Sequence, residues 1–149
     1  MTRSTRLEPL AEIADLEARE AARRLALCLD DVSRKNAAVE QLRGYLAEYR
    51  DRSHRDGRHV ASGRWQNEQL FLSRLGEAIA LREAELDQAN ERLRRETEAW
   101  QNAHRHSRAI EQLVEKHLAI ELEARERREQ DESDELIGIR VARKDDSVA

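Results

Sequence analysis

Two long stripes of mainly apolar residues, spaced alternately three and four apart, constrain this chain more than any other feature. The first runs Ala11, Ala14, Ala18, Ala21, Leu25, Cys28, Val32, Lys35, Val39, Leu42, Leu46, Tyr49. The second runs Leu72, Leu75, Ile79, Arg82, Leu86, Ala89, Leu93, Glu96, Trp100, Ala103, Ser107, Ile110, Val114, His117. A 3–4 alternation kept up over so many turns predicts helices that bury one narrow seam in a left-handed coiled coil. The expected fold class is therefore all-α: two long helices in an antiparallel coiled-coil hairpin, the second longer than the first.

Helix breakers divide the chain into its segments. The only proline is Pro9, and Thr5 and Glu8 beside it have capping-box spacing. Residues 9–52 are helix formers apart from Gly44, so helix 1 is expected over about 9–52. Ser53 to Gly63 holds two glycines and two serines and reads as the turn. Helix 2 is expected over about 64–136, Gly138 is a plausible stop, and 137–149 reads as a polar tail. All of this makes one coiled-coil domain over 1–149.

Folding at the turn pairs positions whose numbers sum to 117 or 118. Leu42 then faces Leu75, Val39 faces Ile79, Val32 faces Leu86, Leu25 faces Leu93, and small Ala18 faces large Trp100, as dense packing requires. One layer is poor, because Lys35 meets Arg82. Helix 1 spans roughly 65 Å and helix 2 roughly 110 Å. In this register helix 1 ends opposite Ser107 and leaves Ile110, Leu113, Val114, Leu118, Ile120 and Leu122 without an intrachain partner. An uncovered apolar stripe of that kind marks a binding surface or a homodimer seam.

Composition narrows the function. Charged residues make up 39% and aromatics 3% of the 149 residues, so there is no wide core and no deep pocket for a small molecule. Basic and acidic residues are intermixed at a net charge of −4, which argues against a nucleic-acid binder. The longest apolar run, Leu25 to Leu29, is far short of the roughly 20 residues that span a bilayer. The lone Cys28 lies in the seam as a small hydrophobe and fits a reducing cytoplasm. His104 and His106 are two apart and so on different helix faces, with nothing to complete a metal site. No nucleophile with an organised base and no phosphate-binding glycine loop is present. The expectation is a non-enzyme without cofactor or metal.

Charge and aromatics distinguish the two ends. Arg50, Arg52, Arg55, Arg58 and Arg64 make the turn basic, while the acidic residues among Glu121–Glu135 make the far end acidic. Tyr45, Tyr49, Trp65 and Phe71 gather near the turn, where exposed aromatics would anchor a partner or thicken the seam.

An ordered set of residues carries a family resemblance: Ile13-Ala14-Asp15-Leu16-Glu17, Glu20-Ala21-Ala22-Arg23, Gln41-Leu42, Tyr45, Glu48-Tyr49-Arg50, Arg64-Trp65, Phe71 and the run Glu126–Glu135. In this order they resemble the flagellar FliJ proteins. The resemblance implies a stalk and chaperone of the bacterial flagellar type III export apparatus, cytoplasmic and peripheral to the inner membrane. It implies that the paired termini enter the ring of the export ATPase FliI, here through Ile13, Leu16, Ile110, Leu113, Val114, Leu118, Ile120 and Leu122. It further implies contact with the export gate protein FlhA through Leu42, Tyr45, Tyr49, Phe71, Leu75 and Ala78, and traffic with export chaperones. At Ala38 and Arg82 the chain departs from the family pattern. The implied protein is monomeric when free, binds no nucleic acid and does not itself insert into the membrane. The alternatives are a structural homodimeric coiled coil and the equivalent stalk of a virulence type III secretion system.

Overall fold

In a computed structural model, residues 2–56 and 62–148 are described. They form two antiparallel helices, α1 (Arg3–Asp56) and the longer α2 (Ser62–Val148). Packing divides them into two compact units. One takes residues up to Ala18 together with those from Ala103 onward, and the other is Arg19–Asn102.

Both helices outrun the boundaries read from sequence, for local reasons. Thr2 caps α1: its hydroxyl oxygen accepts the Thr5 backbone N–H at 3.3 Å, and its carbonyl accepts that of Arg6 at 3.2 Å. The helix thus starts ahead of Pro9 and carries the proline inside it. Ser53–Asp56, expected in the turn, continue α1, and Ser62 and Gly63 already belong to α2. The rest of the expected turn lies outside the described residues. Gly138 does not stop α2, and the expected tail from Ile137 to Val148 is helical. A glycine costs about 1 kcal/mol in a helix, too little by itself to end one. A glycine stop also needs a left-handed residue, and none is found among the described residues.

In the unit Arg19–Asn102, Ala21, Cys28 and Val39 of α1 and Leu75, Ile79 and Ala89 of α2 are buried. Leu25, Val32, Leu42, Leu46, Leu72, Leu86, Leu93 and Trp100 are half-buried around them. These are the stripe positions, as the periodicity predicts. Arg82 is the departure, since it points outward with its side chain 51% exposed.

The register differs from the expected one. In this unit Arg24 pairs with Glu96 at 3.2 Å, and the Tyr49 and Phe71 rings lie 4.9 Å apart, so both pairs sum to 120. Arg43 bonds Glu83 at 2.6 Å, a sum of 126. The expected pairing at 117–118 is therefore displaced, by two or three residues at the first two contacts and by eight or nine at the third. The shift takes Lys35 out of register with Arg82. Each cation instead bonds a carboxylate of its own helix, Lys35 to Asp31 at 3.1 Å and Arg82 to Glu85 at 3.0 Å.

Candidate partner-binding surfaces

In the unit formed by the chain's two ends, Ser4, Ala14, Ala18 and Ser107 are buried. Small residues let two helices approach closely, which suits a seam with no bulky side chain at its centre. A clasp holds the start of α1 against α2. The Ser4 backbone N–H donates to Glu121 Oε1 at 3.1 Å, and the Ser4 hydroxyl donates to Glu121 Oε2 at 2.6 Å. Glu121 thereby takes one of the free N–H groups of the first helical turn, where a negative charge is favoured.

This clasp corrects the expected overhang. Helix 1 does not end opposite Ser107, because Ser4 reaches Glu121. Ile110 and Val114, expected to lack a partner, are half-buried in the pair, as are His117 and Glu121. Ile13, Leu16, Leu113, Leu118 and Ile120 face outward, each between 42% and 58% exposed. Leu122 is exposed as well, and from Leu122 to Asp146 every side chain is exposed. The uncovered helix thus begins after Glu121. It carries Leu136, at the expected end of helix 2, and Ile137, Ile139 and Val141, which fall in the expected polar tail. A signal for the clasp was available: Ser4 and Leu7 continue the 3–4 spacing upstream of Ala11, and Glu121 continues it past His117.

The clasp sets a pH dependence. The two Ser4 hydrogen bonds, hydroxyl first and backbone second, hold the Glu121 carboxyl below its ordinary value of 4.5, with His117 and Arg125 adding smaller effects of the same sign. A depressed carboxylate pKa stabilises the fold above the unfolded-state value, and the gain is lost as pH falls through the folded value. Glu121→Gln is expected to melt below the unsubstituted chain at pH 7. The gap should close in acid once Glu121 is protonated in both states. Thermal melts followed by circular dichroism at both pH values measure this, and a gap that persists in acid would refute it.

The other predicted surface lies wholly within Arg19–Asn102. Tyr45 is 51% and Phe71 48% exposed, while Leu42, Tyr49 and Ala78 are half-buried and Leu75 is buried. The Tyr49 and Phe71 rings meet at a 45° tilt, a favourable edge-biased geometry. Gln41 donates to the Tyr45 hydroxyl oxygen at 2.9 Å, one turn away on the same helix, and steadies that ring on the surface. The structure therefore brings the six positions onto one unit but splits them, with Tyr45 and Phe71 available at the surface and Leu75 committed to the seam.

Chemistry of other kinds finds little footing. Among the described residues no cluster of three His, Cys, Asp or Glu side chains could hold a metal ion. No described helix is long and apolar enough to cross a membrane. Cys28 is buried in the seam and free. Trp65, from the aromatic set near the turn, is 56% exposed.

The fold defines the class first: an antiparallel two-helix coiled coil with exposed apolar residues in both of its packing units. The chain belongs to the flagellar FliJ family, whose description, flagellar FliJ protein, matches residues 3–146. It is similar to the flagellar FliJ protein of Salmonella typhi, 29% identical over 131 residues that cover 87% of this chain and 89% of that protein. This membership makes it a flagellar, export-related protein of a non-catalytic family.

Proposed function

We propose that the chain is the stalk of the flagellar type III export ATPase, working in the cytoplasm beside the inner-membrane export apparatus. The end that carries the Ser4–Glu121 clasp and the bare continuation of α2 enters the ring of the ATPase FliI. Ile13, Leu16, Leu113, Leu118, Ile120 and Leu122 offer the apolar contacts there, and Ile110 and Val114 stiffen the pair beneath them. The surface around Tyr45 and Phe71 meets the export gate protein FlhA, with Leu42, Tyr49, Leu75 and Ala78 supporting it. Export chaperones exchange on the same protein.

The observation that carries this reading is the bare helix. A helix whose side chains are all exposed from Leu122 to Asp146, several of them large and apolar, gains from a partner that covers it. A chain ending after Glu121 keeps the clasp and both seams, so it isolates this segment. With a purified flagellar export ATPase, the full chain is expected to stimulate ATP hydrolysis and the shortened chain to lose most of that stimulation. Equal stimulation by a shortened chain that keeps its helical circular dichroism would rule out ring insertion through this segment.

A further inference from the structure

Within the bare part of α2, one face has an order that its neighbours lack. Glu132, Glu135, Leu136 and Ile139 line a single shallow groove along the helix. Arg140 and Arg143 follow one turn beyond Leu136 and Ile139 on the same face. Read along the helix, the face is acidic, then apolar, then basic, and all six side chains are exposed.

Such an order is complementary to itself in reverse. Laid antiparallel against a copy of itself, Leu136 meets Ile139, Glu135 meets Arg140 and Glu132 meets Arg143, and two-fold symmetry makes each contact twice. The axis falls between Ile137 and Gly138. Parallel pairing would instead set each acid beside its own copy and each arginine beside its own copy. Further out the match ends, because Glu129 would face Asp146. The complementary stretch is thus 132–143, about three helical turns.

We propose that this face binds a second copy of the chain in an antiparallel, two-fold arrangement, with Leu136 and Ile139 at its centre and the Glu132–Arg143 and Glu135–Arg140 pairs around it. The contact is short, well below the area of a permanent interface, so association is concentration-dependent. It is also salt-dependent, because its ion pairs are exposed. It differs from a homodimer through residues 110–122, where Ile110, Val114, His117 and Glu121 are already half-buried by intrachain packing.

Sedimentation equilibrium of the full-length chain at low salt tests this, over loading from about 1 μM to about 1 mM, the range in which weak contacts are read. The average mass is expected to rise from 17.3 kDa toward twice that value. Glu132→Arg alone and Arg143→Glu alone should each weaken association about tenfold, since each sets like charges together twice. The two combined should bring it back to within about threefold, because the pair is re-formed with its signs exchanged. Leu136→Asp should abolish it. All of these positions are exposed, so circular dichroism should show unchanged helix in every variant. A mass of 17.3 kDa at every concentration overturns the proposal. So does a dimer indifferent to Leu136→Asp, or one that the charge exchange fails to restore.

Discussion

Val39→Asp is expected to melt the coiled coil at a far lower temperature than the unsubstituted chain, or to unfold it at room temperature. Val39 is 1% exposed and is, among the described residues, the largest side chain buried so completely. Its layer belongs to a seam in which, among the described residues, Ala21, Cys28, Leu75, Ile79 and Ala89 are the other buried side chains. A carboxylate there loses its water and gains no partner, which costs about 3 kcal/mol or more. Domains of ordinary stability have only about 5–15 kcal/mol in total. A narrow seam offers no second layer of core to absorb the loss. Leu27 supplies the control: at 70% exposure, Leu27→Asp should change stability by less than about 0.5 kcal/mol. Urea and thermal unfolding followed at the helical circular dichroism band compare the two. Similar stability for both variants would mean that Val39 does not lie in a packed seam.

Tyr45→Ala and Phe71→Ala are expected to weaken binding to the export gate protein about 10- to 100-fold each, on the proposed reading. Exposed aromatics at the centre of an interface commonly contribute about 2 kcal/mol, and each 1.4 kcal/mol is a factor of about ten. Neither ring is held in the seam, so the fold should survive. Phe71→Ala forfeits its contact with Tyr49, an aromatic pair worth about 1 kcal/mol. Leu75→Ala behaves differently, because Leu75 is buried: it should cost about 2–5 kcal/mol of stability before any partner is considered. A binding defect in Leu75→Ala is therefore no evidence of contact, whereas one in Tyr45→Ala with an unchanged melting curve is. Calorimetric titration of the purified gate protein with each variant separates these cases. Unaltered affinity in both aromatic variants would remove this surface from the proposal.

The same contrast between exposed and committed residues runs through what could be read in advance. The two stripes from Ala11 to Tyr49 and from Leu72 to His117 were legible because periodicity is local: a 3–4 spacing places side chains on one helix face whatever lies opposite. The division between exposed Tyr45 and Phe71 and buried Leu75 was legible as well, because Leu75 lies on the second stripe while Tyr45 and Phe71 lie beside the stripes. The start of helix 1 was less legible, because Pro9 and the Thr5–Glu8 spacing are louder signals than Thr2, which caps the helix. The apolar residues Ile137, Ile139 and Val141 read as part of a tail because Gly138 sits among them.

The sequence by itself determined that this chain makes two helices, which face of each is buried, and that the second is the longer. Only the tertiary structure decided their register, the clasp between Ser4 and Glu121, and hence where α2 is left bare. The physical reason is that a heptad pattern looks the same after a slide along the seam. Moving one helix past the other by a turn or two still sets apolar residues against apolar residues, so burial alone barely distinguishes the alternatives. What separates them are contacts between particular residues far apart in the chain, Arg24 with Glu96, Arg43 with Glu83, Tyr49 with Phe71 and Ser4 with Glu121. Each is small, and none is visible until the two helices lie side by side.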